Sequence, residues 1–363
     1  MSNKIIFFTR QEPKETLAQY LRILKLKDLF KSAYETEVEL FNTYEPINRI
    51  KLFIKTKKRI KEYLKSLDEN TKIFVIDTLE PGSIKLLNKY AIKHNIKVYI
   101  DIVEYADPKE KKIGSLSPSL ILNHHMINKS VKKNMTVIAI SDWFVRYYAR
   151  KGIRTLFIPN LIDDNVDYSS FIVDRKEDKV SFIFAGYPQK KDALDMIVKA
   201  LINIYKIRQD FIFNIAGISK DDFFNKYPYL NSDKDIINSF TKFHGQLSKE
   251  EIRKLYYVSD YSIILRDPML LVTQSGFPTK FSESLGYARP VIANDVSDVH
   301  MYLKDGYNGY IIDEFHIDYL SSAIKKALDN KENRSIMFKN ALESSKEHFS
   351  PSIYINLLRN EDK

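Results

Sequence analysis

The chain has 363 residues, enough for two domains, because a single hydrophobic core rarely grows beyond ~250–300 residues. Hydrophobic residues make up 44%, too many for a disordered chain, and the absence of cysteine excludes disulfides, thiolate metal sites and cysteine nucleophiles. The formal net charge is +10, and residues 1–170 carry 30 Lys and Arg against 20 Asp and Glu, whereas the remainder carries 27 of each. This asymmetry indicates either an anionic partner for the first half or a solvated lysine-rich surface.

Strand and helix patterns alternate along the first half, which favours a parallel α/β sheet. We predict strands at 5–9, 38–41, 73–76, 98–102, 137–140 and 156–158, with helices at 15–30, 49–67 and 82–94. Charged residues follow the first apolar run at once, so we interpret residues 5–8 as part of a strand and not of a signal peptide. No window approaches the ~20 apolar residues of a membrane-spanning helix.

The predicted helix at 49–67 is amphipathic, with lysines along its polar side. A basic amphipathic helix can lie on anionic lipid. The same apolar stripe is also needed to cover a sheet, so the sequence leaves both interpretations open.

The alternation stops at 159–175, a polar and turn-rich segment that we interpret as an interdomain hinge. A second series follows, with strands predicted at 180–185, 211–216, 241–243, 261–265, 290–293 and 309–312. Helices are predicted at 191–207, 249–258, 279–286, 296–303 and 318–329, and a last helical stretch at 334–358 is broken at Pro351. Tandem doubly wound domains bind ligands at the carboxyl ends of their strands.

The richest chemical signal lies in residues 266–294, where a strand ends in a loop and a helix begins. We expect Thr279 to cap that helix, and Pro278 suits its start. The free N–H groups of a helix N-terminus attract anions, and Lys280 adds a full positive charge in the first turn. Glu283, about one turn later, can accept hydrogen bonds from both hydroxyls of a ribose diol. The segment therefore predicts a site for an anionic ligand.

This segment resembles the donor-binding signature of glycosyltransferase family 4, the retaining enzymes of the GT-B fold. Phe277 matches the Phe of that signature, and Glu283 matches its second Glu, which the family uses on the nucleotide ribose. Residues 287–293 match the tail of the signature loosely. The first Glu, which touches the transferred sugar in the family, is replaced here by Ser275. The variant that begins at Gly276, GFPTKF, resembles a subgroup of bacterial surface-polysaccharide enzymes.

A second loop resembles the family's diphosphate-binding loop, in which a Gly-Arg pair and a following Lys grip the diphosphate. Here Gly186 is followed by Tyr187 in place of Arg, and Lys191 or its neighbour Lys190 matches the Lys. The glycine allows the backbone to approach the phosphates closely. We expect Arg266 to supply the missing positive charge.

A third loop, at His244 and Gly245, resembles the loop whose backbone groups bind the nucleotide base in the family. Ser248 and Glu251 form a capping box at the start of the helix that follows. The resemblance as a whole covers about residues 180–330.

The resemblance implies that Lys191 and Arg266, with Lys280 and the helix N-terminus, stabilise the departing diphosphate. Glu104 stands about where the family places a His on the rim of the N-terminal domain. It can orient the acceptor hydroxyl or the donor sugar, or be an ordinary surface carboxylate. We interpret His124 and His125 as packing or capping residues. The pairs Asp163–Asp164 and Asp221–Asp222 are interpreted as hinge and loop residues, and no metal site is predicted.

The expected architecture is α/β and of GT-B type, with two Rossmann-like doubly wound domains facing across a cleft. We place an acceptor-binding domain at 1–165, a nucleotide-sugar-binding domain at 166–340, and a helical segment at 341–363 that packs back toward the N-terminal domain. The expected reaction moves a sugar from a nucleotide-sugar, with UDP as the expected nucleotide, to a glycan, a lipid-linked acceptor or a glycoprotein. Retention of configuration, with no metal and no other cofactor, is expected.

The expected location is the cytoplasm, at the inner face of the membrane if the basic N-terminal domain contacts lipid. Two alternatives keep the fold: an enzyme that inverts the anomeric carbon or uses another activated donor, and a catalytically silent subunit that assists a partner transferase. Ser275 and Tyr187 favour the silent subunit, whereas Lys191, Lys280 and Glu283 favour an active one. Nucleic-acid binding is not predicted, because the first half lacks the clustered arginines and exposed aromatics of single-strand binders.

Overall fold

A computed structural model describes residues 3–14, 17–47, 49–110, 114–163, 166–172 and 179–361. The chain forms two units: an N-terminal unit of Met1–Leu161, Ser275–Phe277 and Pro351–Lys363, and a C-terminal unit of Ile162–Gln274 and Pro278–Ser350. The predicted domain boundary at 165 lies outside the described residues, as do residues 164–165 and 173–175 of the predicted hinge. The predicted domain limits therefore stay a prediction.

Both units combine parallel strands with flanking helices. In the described residues the strands are β1 (Lys4–Thr9), β2 (Glu37–Asn42), β3 (Thr71–Asp77), β4 (Lys97–Ile102), β5 (Met135–Ala139), β6 (Arg154–Phe157), β7 (Val180–Ala185), β8 (Phe211–Ala216), β9 (Thr241–Gly245), β10 (Tyr261–Ile264), β11 (Val291–Asn294) and β12 (Gly309–Ile312). The α-helices are α1 (Ala18–Tyr34), α2 (Arg49–Tyr63), α3 (Pro81–His94), α4 (Pro118–His125), α5 (Asp142–Ala149), α6 (Leu194–Tyr205), α7 (Lys220–Lys226), α8 (Lys234–Phe240), α9 (Lys249–Tyr257), α10 (Leu271–Ser275), α11 (Thr279–Gly286), α12 (Val299–Tyr302), α13 (Ile317–Asp329), α14 (Arg334–Phe349) and α15 (Pro351–Asn360).

Each unit contains one six-stranded parallel sheet, of order β2-β1-β3-β4-β5-β6 in the N-terminal unit and β12-β11-β10-β7-β8-β9 in the C-terminal unit. Every residue of β7 is buried, as expected for a strand covered by helices on both faces. A doubly wound sheet binds ligands beyond the carboxyl ends of the two strands at which the strand order reverses. That point lies between β1 and β3 in the first sheet and between β7 and β10 in the second.

A buried ion pair fixes α1 on the N-terminal sheet. Arg22 donates from Nε and Nη2 to the carboxylate of Asp101 at 2.9 and 2.8 Å, and its guanidinium also donates to the carbonyls of Ile158 and Pro159. The C-terminal helix α15 packs in the same unit, because Leu358 is fully buried in the core of that unit. Arg359 next to it donates to the α1 carbonyl of Ala33 at 2.8 Å.

Helix α2 covers the sheet with its apolar stripe, since Leu52 and Ile60 are buried, and Leu64 directly after the helix is buried as well. Its lysines point to solvent, and Ile54 is an apolar residue among them that is 68% exposed. The apolar stripe is therefore already buried inside the protein. Contact of this helix with a membrane would depend on the charge of its lysines more than on exposed apolar area. Among the described helices, none has both the length and the apolar composition needed to cross a bilayer.

Each predicted strand is found within a few residues of its position, but several helices differ from the predictions. Helix α6 begins at Leu194 and not at 191, because Asp192 forms a β-bridge with Arg266 and the N–H of Ala193 donates to the carbonyl of Leu265. Helices α4, α5, α7, α8 and α10 were not among the predicted helices. Helix α1 begins at Ala18 and runs on to Tyr34, while residues 15–16 lie outside the described part of the chain.

Candidate functional site

The candidate site lies at the reversal point of the C-terminal sheet, where Gly186 directly follows β7 and Arg266 lies two residues after the end of β10. Gly186 has a φ of +102°, and a Cβ there would lie 3.1 Å from Cε of Lys280. The N–H of Arg266 donates to Oδ1 of Asn294 at 3.0 Å, and the side-chain amide of Asn294 donates back to the carbonyl of Arg266. This exchange fixes Arg266 at the edge of the sheet.

One buried carboxylate holds two cations at this edge. Oδ1 of Asp192 lies 3.3 Å from Nε of Arg266 and 3.5 Å from Nζ of Lys280. The side chain of Lys280 is only 12% exposed, and its ammonium also lies 3.9 Å from the centre of the Phe184 ring. Apart from the contact with Asp192, Lys280 Nζ has no hydrogen-bond partner among the described residues. The group of Asp192, Arg266 and Lys280, here called the cation cluster, carries one positive charge in excess.

The pKa values of the cation cluster follow from this arrangement. Burial alone would raise the pKa of Asp192, but Lys280 and then Arg266 outweigh burial and hold it at about 2. Burial lowers the pKa of Lys280 to about 8, because Asp192 offsets only part of the desolvation and Arg266 repels the ammonium. An anion bound beside Lys280 would compensate the excess positive charge.

Helix α11 begins beside the cation cluster. Pro278 occupies the N-cap position without a side-chain hydrogen bond, and Thr279 is the first helical residue. The prediction that Thr279 caps the helix is therefore wrong, because Pro278 already fills that position. The uncapped N-terminus leaves backbone N–H donors and a partial positive charge next to Lys280 in the first turn. Glu283 lies one turn further along α11 and is exposed.

The residues of the predicted diphosphate loop are spread over different environments. Tyr187 is 58% exposed, and Lys226 lies 5.5 Å from the centre of its ring. Lys190 is exposed and Lys191 is half-buried, and the carbonyl of Lys191 accepts from the N–H of Asp267. Gly186, Arg266 and Lys280 thus meet at this edge, and Lys191 is near enough to help lower the pKa of Asp192.

The rim of the C-terminal sheet continues through Gly217 and Gly245, at the ends of β8 and β9. Both have positive φ values, +105° and +63°, and the N–H of Gly217 donates to the carbonyl of Gly245 at 2.6 Å. Nε2 of His244 lies 2.9 Å from Oδ1 of Asn214 and donates to it, since that oxygen can only accept. Burial lowers the pKa of His244, which favours the neutral ring.

The segment of Ser275 to Phe277 groups with the N-terminal unit. Ser275 is fully buried: its hydroxyl accepts from the N–H of Tyr105 at 2.9 Å, and its carbonyl accepts from the Ser141 hydroxyl at 2.5 Å. Gly276 and Phe277 are buried beside it. Glu104, adjacent to Tyr105, is half-buried, and its carbonyl accepts from Asn123 at 3.3 Å.

The remaining sequence candidates are engaged in local structure. His124 contacts the carbonyl of Ala106 at 2.9 Å. Asp221 and Asp222 lie in the first turn of α7, where the Ser219 hydroxyl donates to Asp222, so their interpretation as loop residues is wrong. Asp164 lies outside the described residues. Among the residues that the structure describes, no three His, Asp or Glu side chains are grouped closely enough to bind a metal ion.

Asp192 is the residue whose role the sequence interpretation missed. It follows two lysines and precedes an apolar stretch, which is a typical start of a solvent-exposed helix. Its partner Arg266 is 74 residues away, so no local pattern links the two. The one available signal was an acidic residue inside a loop expected to bind phosphate.

Residues 166–344 match the family described as glycosyl transferases group 1. An uncharacterized glycosyltransferase of Methanocaldococcus jannaschii is 24% identical over 291 residues, which cover 73% of this chain and 76% of that protein. The structure of sucrose-phosphate synthase from Thermosynechococcus elongatus is similar with a TM-score of 0.75 at 15% identity, over 99% of this chain and 98% of the synthase. HepE of Anabaena, solved in complex with UDP and glucose, is similar with a TM-score of 0.68 at 14% identity over 99% of both chains.

The two parallel sheets and these likenesses confirm the predicted α/β fold of GT-B type. They define the chain as a glycosyltransferase. Within that class, residues 166–344, which match the glycosyl transferases group 1 family, contain the cation cluster.

We expect Gly217→Ala to lower the free energy of unfolding by on the order of 3 kcal/mol or more, measured by chemical denaturation. A Cβ at this position would press on the carbonyl carbon of Gly186 and lie 2.5 Å from the nitrogen of Tyr187, both of which are backbone atoms. The matched control is Gly306→Ala, where φ is +72° and nothing lies within 4 Å of the added carbon. That variant should lose only about 1 kcal/mol. Equal losses in the two variants would contradict the close packing of the rim.

Proposed function

We propose that the chain transfers a sugar from a UDP-sugar to a glycan, lipid-linked or protein-linked acceptor, with retention and without a metal ion. The observation that carries this proposal is the cation cluster, in which two buried cations share one carboxylate. A buried charge without a partner costs several kcal/mol, so the excess positive charge favours an anionic ligand. A nucleoside diphosphate supplies such a charge.

The diphosphate would lie at the N-terminus of α11, within reach of Lys280 and Arg266. Uncapped N–H groups and a partial positive charge are the usual anion site of a helix start. Glu283, exposed one turn later, would accept the two hydroxyls of the ribose. HepE, which has the same fold, is solved with UDP and glucose, and this supports UDP as the nucleotide.

In the proposed reaction the protein stabilises charge on the leaving diphosphate. Negative charge develops on the β-phosphate as the glycosidic bond breaks, and Lys280, Arg266 and Lys191 would stabilise it. These cations take the place that a divalent metal occupies in metal-dependent transfer, which is why we propose metal independence. Glu104 would orient the acceptor hydroxyl or the donor sugar from the N-terminal unit.

We further propose that the chain acts in the cytoplasm, at the inner face of the membrane. The exposed lysines of α2, which include Lys55, Lys57 and Lys58, support contact with anionic lipid. Lys55 is partly engaged, because its ammonium lies 2.8 Å from the Glu45 carboxylate.

A catalytically silent subunit is the second candidate function. It is favoured by Ser275, which replaces the Glu of the family signature and is bound to Tyr105 and Ser141. Such a subunit would bind UDP but would not release or transfer a sugar from UDP-glucose or UDP-N-acetylglucosamine. A turnover assay with these donors separates the two candidates.

We expect UDP to bind in the presence of EDTA and Glu283→Ala to weaken that binding by ~10–100-fold, the usual effect of losing charge-assisted hydrogen bonds. Isothermal titration calorimetry measures both, and titrations with GDP and dTDP identify the base. The matched control is Glu332→Ala, which removes an exposed glutamate from the same unit and should leave binding unchanged. Unaltered UDP affinity in Glu283→Ala would contradict the proposed ribose contact.

We expect the affinity for UDP to fall as the pH rises from about 7 to about 9. The pKa of Lys280 is about 8 in the free protein, and a bound diphosphate favours the charged ammonium and so raises this pKa. Lys280 therefore contributes fully to the UDP affinity well below pH 8. Above pH 8 this contribution falls, because the neutral amine has to take up a proton when the diphosphate binds.

Calorimetry in two buffers of different ionisation enthalpy measures this proton uptake. Lys280→Met is the control, because it reports any effect of the nucleotide's own titration. A wild-type affinity that does not change with pH, with no proton uptake, would place Lys280 outside the diphosphate site.

A further inference from the structure

Helix α5 carries aromatic side chains on two adjacent sides, since consecutive helical residues are about 100° apart. Phe144 and Tyr148 are fully buried in the N-terminal unit, and the Tyr148 hydroxyl donates to the carbonyl of Ile127. Trp143 and Tyr147 lie on the other side and are only half-buried. The core uses the first pair alone. Trp143 and Tyr147 are not needed by the core and stay partly exposed, which makes them candidates for contact with a ligand.

The half-buried rings form an ordered group with Tyr105, here called the aromatic platform. The rings of Trp143 and Tyr147 are stacked, with centroids 5.0 Å apart and planes 14° from parallel. Tyr105 stands edge-on to both, at centroid distances of 5.8 and 6.1 Å. Lys151 Nζ lies 4.0 Å from the centre of the Tyr147 ring.

Hydrogen bonds hold the aromatic platform in place. Asn128 lies in a π-helical turn, Met126–Ser130, a conformation that is frequent at functional sites. Its amide nitrogen donates to the Tyr105 hydroxyl at 2.6 Å, while its amide oxygen accepts from the Tyr147 hydroxyl and from Lys151. The rings are therefore fixed before a ligand arrives, which lowers the entropy cost of binding.

The aromatic platform adjoins the segment that the sequence resemblance assigns to the transferred sugar. Tyr105 follows the carboxyl end of β4, and Trp143 follows that of β5, the side of a parallel sheet on which ligands bind. The backbone N–H of Tyr105 donates to Ser275 Oγ at 2.9 Å. An acceptor on the platform would therefore lie next to Ser275.

We propose that the aromatic platform binds a pyranose ring of the acceptor, an inference that rests on the proposed transferase function. A pyranose presents an apolar C–H face, which matches an aromatic ring, and an edge of hydroxyls, which matches polar side chains. The indole N–H of Trp143 donates no hydrogen bond to any described residue and can meet a sugar hydroxyl. Lys151 lies at the edge of the platform and uses two of its three N–H donors on Asn128 and Tyr147, so the third can meet a sugar hydroxyl.

The chain offers a direct test, because Trp143 is its single tryptophan and its fluorescence reports on the platform alone. The UDP-saturated protein is titrated with the methyl glycosides of glucose, galactose, mannose and N-acetylglucosamine. We expect a saturable change in emission with at least one of them. Tyr147→Ala should weaken that binding by roughly 2- to 10-fold, because the Tyr147 ring, with Lys151 over it, is the stacked partner that holds the Trp143 indole in place. Tyr319→Ala, which removes an exposed tyrosine from α13, is the matched control and should not weaken it.

Each outcome separates this inference from the proposed function. If UDP does not bind the wild-type chain, the proposed function fails first. If UDP binds but no glycoside changes the emission of Trp143, the platform does not bind pyranoses and this inference is overturned. An unchanged glycoside affinity in Tyr147→Ala, or a response to anionic phospholipid vesicles without a response to any glycoside, would overturn it as well.

Discussion

Two cations share one buried carboxylate at the edge of the C-terminal sheet, and the geometry of the candidate site depends on this contact. Asp192 bridges the segment before α6 to Arg266 after β10, and it holds Lys280 in the first turn of α11. Three elements that are distant in the sequence are thereby fixed at the reversal point of one sheet. Because a single carboxylate compensates only one of the two charges, the same contact that orders the edge leaves it attractive to an anion.

Glycines at the strand ends make this edge accessible to a ligand. Gly186 passes so close to Lys280, and Gly217 so close to Gly186, that a side chain at either position would displace its neighbour. Bare backbone and buried cations suit a diphosphate. The N-terminal unit has a sheet of similar design but carries a surface of different chemistry, since aromatic rings lie after β4, at Tyr105, and in α5, which follows β5. Under the proposed function, the first surface would bind the anionic donor and the second a sugar of the acceptor.

The apolar runs were enough to predict both sheets, because strands buried on both faces read as continuous hydrophobic segments, as in β7. Helix α11 was predicted with its observed limits, since Pro278 precedes it and Gly286 ends it. The cation cluster was predicted only in part: Lys280 was inferred from its place in the first turn of the helix and Arg266 as a replacement for the Arg missing at Tyr187, but Asp192 was not predicted. Long-range pairing leaves no periodic signal in the sequence. The aromatic platform was not predicted either, because α5, which carries Trp143 and Tyr147, was not predicted and Tyr105 reaches it from a distant segment after β4.

A crystal structure of the chain with UDP tests the central claim most directly. We expect the diphosphate at the N-terminus of α11, with a phosphate oxygen within hydrogen-bonding distance of Lys280 Nζ. The ribose hydroxyls should donate to the Glu283 carboxylate. Lys280 would then share its charge between Asp192 and the ligand. A structure in which UDP binds elsewhere, or in which Lys280 contacts only Asp192 and the ring of Phe184 while UDP is bound, would contradict it.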